Sequence, residues 1–108
     1  MIDLAPRHLE MVQRILAEHV PDCEVRAYGS RVRGTAKPHS DLDLTVAGAE
    51  KLPRDRVRLL SEAFEDSTLP FRVECQDWHT ISPAFRRVIE EKYEVLQKAC
   101  SERMEAEG

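Results

Sequence analysis

The chain has 108 residues, 42% hydrophobic and 33% charged, with 16 Lys and Arg against 20 Asp and Glu and a net charge of −4. A domain of this length has room for one core and little more, and no apolar run approaches the roughly 20 residues of a membrane span. The acidic balance argues against general nucleic-acid binding, which needs a basic face.

Taken in chain order, Met1-Ile2-Asp3-Leu4 has no basic region leading into an apolar one, so no signal peptide is expected. A first helix starts near Pro6, with Asp3 as its cap, and Leu9, Val12, Ile15, Leu16 and His19 recur at helical spacing until Pro21. Glu24 to Tyr28 alternates as a strand. Gly29-Ser30 is a turn, Arg31 to Gly34 one short helical turn, and residues 36–40 a loop. Asp41 to Ala47 is the second strand. A second helix spans Arg54 to Glu65, its stripe made of Val57, Leu60, Ala63 and Phe64. Phe71 to Asp77 is a third strand. A third helix runs from Ser82 or Pro83 to Lys92, with Ser82 as N-cap and Phe85, Val88 and Ile89 as the apolar stripe. Tyr93 to Leu96 is a short extended segment, and 98–108 an acidic, frayed tail. With no repeat and no linker, residues 1–108 form a single domain. The order α-β-turn-β-α-β-α predicts an α+β fold, a small mixed sheet of about three main strands with helices packed on one face. Cys23, Cys75 and Cys100 are an odd number at no metal spacing and read as reduced thiols of a cytoplasmic protein, two of them facing the core.

The second strand carries the chemistry. Asp41 and Asp43 are two residues apart, so both project from one face, while Leu42, Leu44 and Val46 share the other. Neighbouring carboxylates repel and stay charged together only beside a cation. With oxygen ligands alone that cation is Mg²⁺, which usually arrives with substrate phosphates. In the third strand Phe71, Val73 and Cys75 must meet the core, which turns Glu74 to the open face with the aspartates if the two strands are neighbours. On parity alone Glu74 reads as a solvated strand residue, and only the Asp41/Asp43 pair favours the other reading. Asp77 has the other parity.

Gly29 lets the backbone approach a phosphate closely, and Ser30 adds a hydroxyl and an N–H at the head of a helical turn. A Gly-Ser pair alone is also an ordinary turn; followed by Ser40-Asp41-Leu42-Asp43 it reads as a phosphate cradle. Arg31, Arg33 and Lys37 could reach a triphosphate, and each reads equally as a solvated loop cation. Ser40 either contacts the nucleotide or orders the turn, His39 is a loop residue, and Tyr28 and Trp78 are packing residues.

Gly29-Ser30, Ser40-Asp41-Leu42-Asp43 and the third-strand carboxylate resemble the signature of the DNA polymerase β-like nucleotidyltransferases. From the first helix to about Gln97 the chain is similar to the minimal nucleotidyltransferases of bacterial two-gene modules. Val20-Pro21-Asp22, Tyr28-Gly29-Ser30-Arg31-Val32-Arg33-Gly34, Leu69-Pro70-Phe71-Arg72-Val73, Asp77-Trp78 and Phe85-Arg86-Arg87-Val88-Ile89 carry that likeness. The resemblance implies a polymerase β-like fold, with Asp41, Asp43 and Glu74 as catalytic ligands of two Mg²⁺ ions and Gly29, Ser30, Arg31, Arg33 and Ser40 on the nucleotide. It implies transfer of AMP from ATP to a hydroxyl of a partner, a HEPN-domain protein encoded by a neighbouring gene, for which this chain is the antitoxin. The chain departs from the pattern at Glu74, where the family usually has Asp. That extra methylene leaves open a second reading, in which the chain binds nucleotide and neutralises its partner by contact alone.

Overall fold

The computed structural model describes residues 2–37 and 39–99. Its elements are α1 (Pro6–His19), β1 (Glu24–Tyr28), α2 (Ser30–Arg33), β2 (Leu42–Ala47), α3 (Arg54–Glu65) and β3 (Val73–Asp77). A 3-10 turn (Trp78–Thr80), α4 (Pro83–Glu91) and β4 (Glu94–Gln97) complete the described chain. Most of the expected tail, and Cys100 with it, lies outside the described residues.

The sheet is mixed, in the order β3-β2-β1-β4. β1 is antiparallel to β2 and β4, whereas β2 and β3 are parallel. Parallel neighbours need a crossover connection, and α3 supplies it. The extended segment after α4 is thus a fourth strand, whose four residues become strand by completing the free edge of β1.

Alternation of side chains divides the sheet into two faces. Val25 and Ala27 of β1 and Leu42, Leu44 and Val46 of β2 are almost wholly buried under Val12, Ile15 and Leu16 of α1 and Leu60 and Phe64 of α3. Each fully buried aliphatic side chain contributes about 1.5–3 kcal/mol. The helices were expected on this face alone, and α1 and α3 are there. On the opposite face Ile81 and Ile89 close over Tyr28, with Trp78 and Tyr93 beside them. Tyr28 has open-face parity, and its ring needs an apolar cover that α4 provides. Of the stripe read for α4, Ile89 is buried while Phe85 and Val88 stay 37% and 45% exposed.

The ends of the helices show what local sequence can and cannot specify. Ser82 caps α4, its hydroxyl accepting from the Phe85 N–H at 3.2 Å. Asp3 does not cap α1, where Ala5 holds the cap position without a side-chain bond. Its backbone instead pairs with Arg31, Asp3 N–H to the Arg31 carbonyl at 2.7 Å and Arg31 Nη1 to the Asp3 carbonyl at 2.9 Å.

Asp77 is 6% exposed and accepts from Leu52 N–H at 2.8 Å and His79 N–H at 3.0 Å. It anchors the α3 approach and the turn after β3. Asp77→Ala leaves the buried Leu52 donor unmatched and should cost about 1–3 kcal/mol in urea unfolding. An unchanged midpoint would show that these bonds carry no net stability.

Candidate active site

The strand registers bring the singled-out residues together. Tyr28 lies opposite Asp43 across β1 and β2, and Asp43 lies opposite Glu74 across β2 and β3. Adjacent strands sit about 4.8 Å apart, so this row places two carboxylates side by side on the open face. Asp41 stands just ahead of β2 with the same parity, exposed to solvent. Glu74 therefore occupies the place its parity indicated, and Asp77 faces the other way.

Asp43 registers the crowding. Its carboxyl is held above the usual range, first by burial, then by the charges of Glu74 and Asp41. Among the described residues no group of three or more His, Cys, Asp or Glu side chains is arranged to hold a metal ion by itself. Mg²⁺ characteristically takes only one or two carboxylates and completes its shell with water and phosphate oxygens.

Gly29 clears the space in front of the row. Its φ is +85°, and a Cβ built there would stand 2.4 Å from Asp43 Oδ2. The strand-to-α2 turn therefore runs directly against the carboxylate, and only a residue without a side chain fits there. Gly34, at φ +82°, ends α2 in the left-handed conformation and donates to the Ser30 carbonyl at 3.1 Å. Ser30 is half-buried at the head of this short helix.

The basic and polar residues divide. Arg33 is exposed, with a 3.8 Å approach to Glu91 among the described residues. Arg31 is 6% exposed and turned inward. It donates to the Ser40 carbonyl at 3.0 Å and the Asp3 carbonyl at 2.9 Å, with its guanidinium 4.3 Å from the Phe71 ring centre. Ser40 braces its own turn: its hydroxyl accepts from Lys37 N–H at 2.8 Å. His39 is an exposed loop residue.

One neighbour was not visible as a site residue from sequence. The Tyr28 hydroxyl accepts from Gln76 Nε2 at 3.4 Å, and Phe85 meets the ring edge-on at 5.8 Å. Burial, then Asp43 and Glu74, push this phenol up to about 12, so it stays protonated. Nothing local marks Tyr28 this way, because its place beside Asp43 depends on a register set across a long loop. Further along the same face a cavity of about 550 Å³ is lined by Arg26, Thr45, Trp78 and Glu90 and does not include the carboxylate row.

A family model described as a nucleotidyltransferase domain matches residues 9–103. A Haemophilus influenzae protein, probable protein adenylyltransferase MntA, is 46% identical over 100 residues, covering 90% of this chain and 85% of that protein. Among solved structures, a toxin–antitoxin with AMP-PNP superposes with a TM-score of 0.71 at 19% identity, covering 91% of this chain and 77% of that one. A Shewanella oneidensis complex of a tri-AMPylated HEPN toxin with its MNT antitoxin gives 0.62 at 17% identity, covering 89% and 77%. At these identities the structural matches speak to fold.

The site's geometry makes two expectations measurable. Gly29→Ala forces both a strained φ and a collision with Asp43, and should lower stability by about 1–3 kcal/mol in urea unfolding of the ligand-free chain. A wild-type midpoint would mean that the turn is not tight against the carboxylate. For Asp43 the sign runs opposite to a salt-bridged aspartate. A raised native pKa means that the folded state binds more protons than the unfolded one as pH climbs past 3.8, so stability falls through that window. Asp43→Asn removes this penalty and should raise the melting temperature of the ligand-free chain at pH 7. A lowered melting temperature would show that the carboxylate is held by favourable contacts instead.

Proposed function

The chain belongs to the nucleotidyltransferase domain family, and on that footing we propose that it is a Mg²⁺-dependent protein adenylyltransferase. It transfers AMP from ATP to a hydroxyl of a HEPN-domain partner and so acts as that partner's antitoxin. The observation that carries this reading is the opposed pair Asp43 and Glu74, with Asp41 at its edge and the Gly29 cradle directly above. The 46% identity to the Haemophilus influenzae adenylyltransferase over most of both chains supports it. So do the folds of the AMP-PNP toxin–antitoxin and of the AMPylated HEPN complex, with which this chain shares its architecture.

In this reading Asp41, Asp43 and Glu74 would hold two Mg²⁺ ions, which would supply charge compensation for the transfer. The acceptor oxygen bonds to the α-phosphorus of ATP, the bond from that phosphorus to the bridging oxygen breaks, and pyrophosphate leaves. Glu74 takes the proton of the acceptor hydroxyl. Gly29 and Ser30 orient the departing phosphates, and Arg33 offsets their charge from the exposed side of α2. Arg31 and Ser40 serve the loop that presents Asp41.

Glu74 also favours a second reading. A carboxylate displaced by about 1 Å can cost on the order of 10²-fold in rate, and a chain so slowed would neutralise its partner by contact alone.

One assay separates the two. The chain is incubated with ATP labelled at the α-phosphate, Mg²⁺ and its HEPN partner. Label should appear on the partner, and Asp41→Asn or Asp43→Asn should reduce it by about 10²-fold or more. A partner that is neutralised without label, by wild type and both variants alike, would replace the enzyme with the contact inhibitor.

A further inference from the structure

We infer that Arg31 is a positioning residue for Asp41, holding the peptide from which that carboxylate projects, and is not itself a nucleotide contact. The inference rests on the role proposed above for the carboxylates.

The need for such a brace follows from where the two aspartates stand. Asp43 lies inside the ladder, paired on both sides by Tyr28 and Glu74. Asp41 precedes β2 and has no ladder partner; the first bond of that edge is Leu42 N–H to the Arg72 carbonyl at 2.9 Å. Its backbone would be free to swing unless something held the preceding peptide. The Ser40 carbonyl belongs to the planar unit that ends at the Asp41 Cα, and Arg31 Nε donates to it at 3.0 Å. Fixing that oxygen fixes the plane, and with Leu42 anchored on the other side it fixes where the Asp41 side chain starts.

Arg31 is itself held by its neighbours among the described residues. Nη1 donates to the Asp3 carbonyl at 2.9 Å, Asp3 N–H donates back to the Arg31 carbonyl at 2.7 Å, and the guanidinium lies 4.3 Å from the Phe71 ring centre. At 6% exposure it has left water for these partners, and reaching a phosphate would mean giving them up. Three segments that meet at the site, the residues before α1, before β2 and before β3, are thereby tied to the first turn of α2. The flat fork matters as well as the charge: lysine has neither the two divergent donors nor the face that stacks on Phe71.

Arg31→Lys tests this with charge and most of the stem retained. In the ligand-free chain, amide exchange at Ser40 and Leu42 should quicken about tenfold while the amides of Val12 and Leu16 hold their wild-type rates. The Mg²⁺ concentration for half-maximal thermal stabilisation by a non-hydrolysable ATP analogue should rise about tenfold, as when an outer partner of a ligand is lost. In an Asp41→Asn background the same substitution should change that value by less than about twofold, because the group it positions is gone. Equal weakening in both backgrounds would make Arg31 a direct phosphate contact and overturn the inference, as would unchanged exchange at Ser40 and Leu42. Faster exchange at every amide would reduce its role to general stability and overturn it too. If the wild-type chain shows no Mg²⁺-dependent stabilisation, the proposed function fails, and the brace stands or falls on the exchange at Ser40 and Leu42 alone.

Discussion

Asp43 is half-buried between a tyrosine on one side and a second carboxylate on the other, and that opposition is the constraint around which the chain is arranged. A fold selected for stability alone would put an apolar or oppositely charged residue in one of those places, because like charges directly opposed across strands are unfavourable. Here burial and two neighbouring charges all act against ionisation of Asp43. Among the described residues, the groups that shift Asp43 all act in this one direction. The glycine turn packs against the same side chain, since the space a Cβ would fill at Gly29 is taken by the Asp43 carboxylate.

The rest of the molecule holds that row still. The apolar face of the sheet is sealed by α1 and α3 with side chains that are nearly all buried, so the strands cannot slide without exposing Leu42, Leu44 and Val46 together. The parallel pairing of β2 with β3 is what turns Glu74 toward Asp43 in register, and α3 is the crossover that makes the pairing reachable. Asp77 then locks both ends of that crossover, binding the Leu52 N–H before α3 and the His79 N–H after β3. A carboxylate that a scan of the sequence might enlist for catalysis is thus occupied by the scaffold, one strand position out of phase with the site.

Much of this was legible in the sequence because it rests on local periodicity. The limits of β1 and α3 and the cap of α4 follow from alternation, from helical spacing and from Ser82 before Pro83. The faces of Asp41, Asp43 and Glu74 follow from parity alone. What was not legible depends on contacts between segments far apart in the chain. β4 is four residues long and becomes a strand only beside β1. Asp3 has the composition of a cap, but its backbone was claimed by Arg31. Arg31 itself reads as a cation free to meet a phosphate, since no local rule tells a solvated arginine from one stacked on Phe71, forty residues later. Tyr28 reads as packing, and it does pack, but the same ring stands against the acidic row.

The division between Arg31 and Arg33 shows how two residues of one short turn take opposite courses. The proposed reaction would need cations that can move to meet a triphosphate and carboxylates that cannot move. Helical geometry sends residues two apart on a short turn in different directions. Arg31 therefore turns inward to two carbonyls and a ring, and Arg33 outward to solvent and a loose approach to Glu91. A single arginine could not do both, because the hydrogen bonds that hold the loop would be the ones given up on reaching the anion. Glycines at either end permit the arrangement: Gly29 lets the turn begin against Asp43, and Gly34 ends it within one turn. On the proposed function, the inner residue of this tight turn would stiffen one wall of the site while the exposed outer residue would meet what lies between.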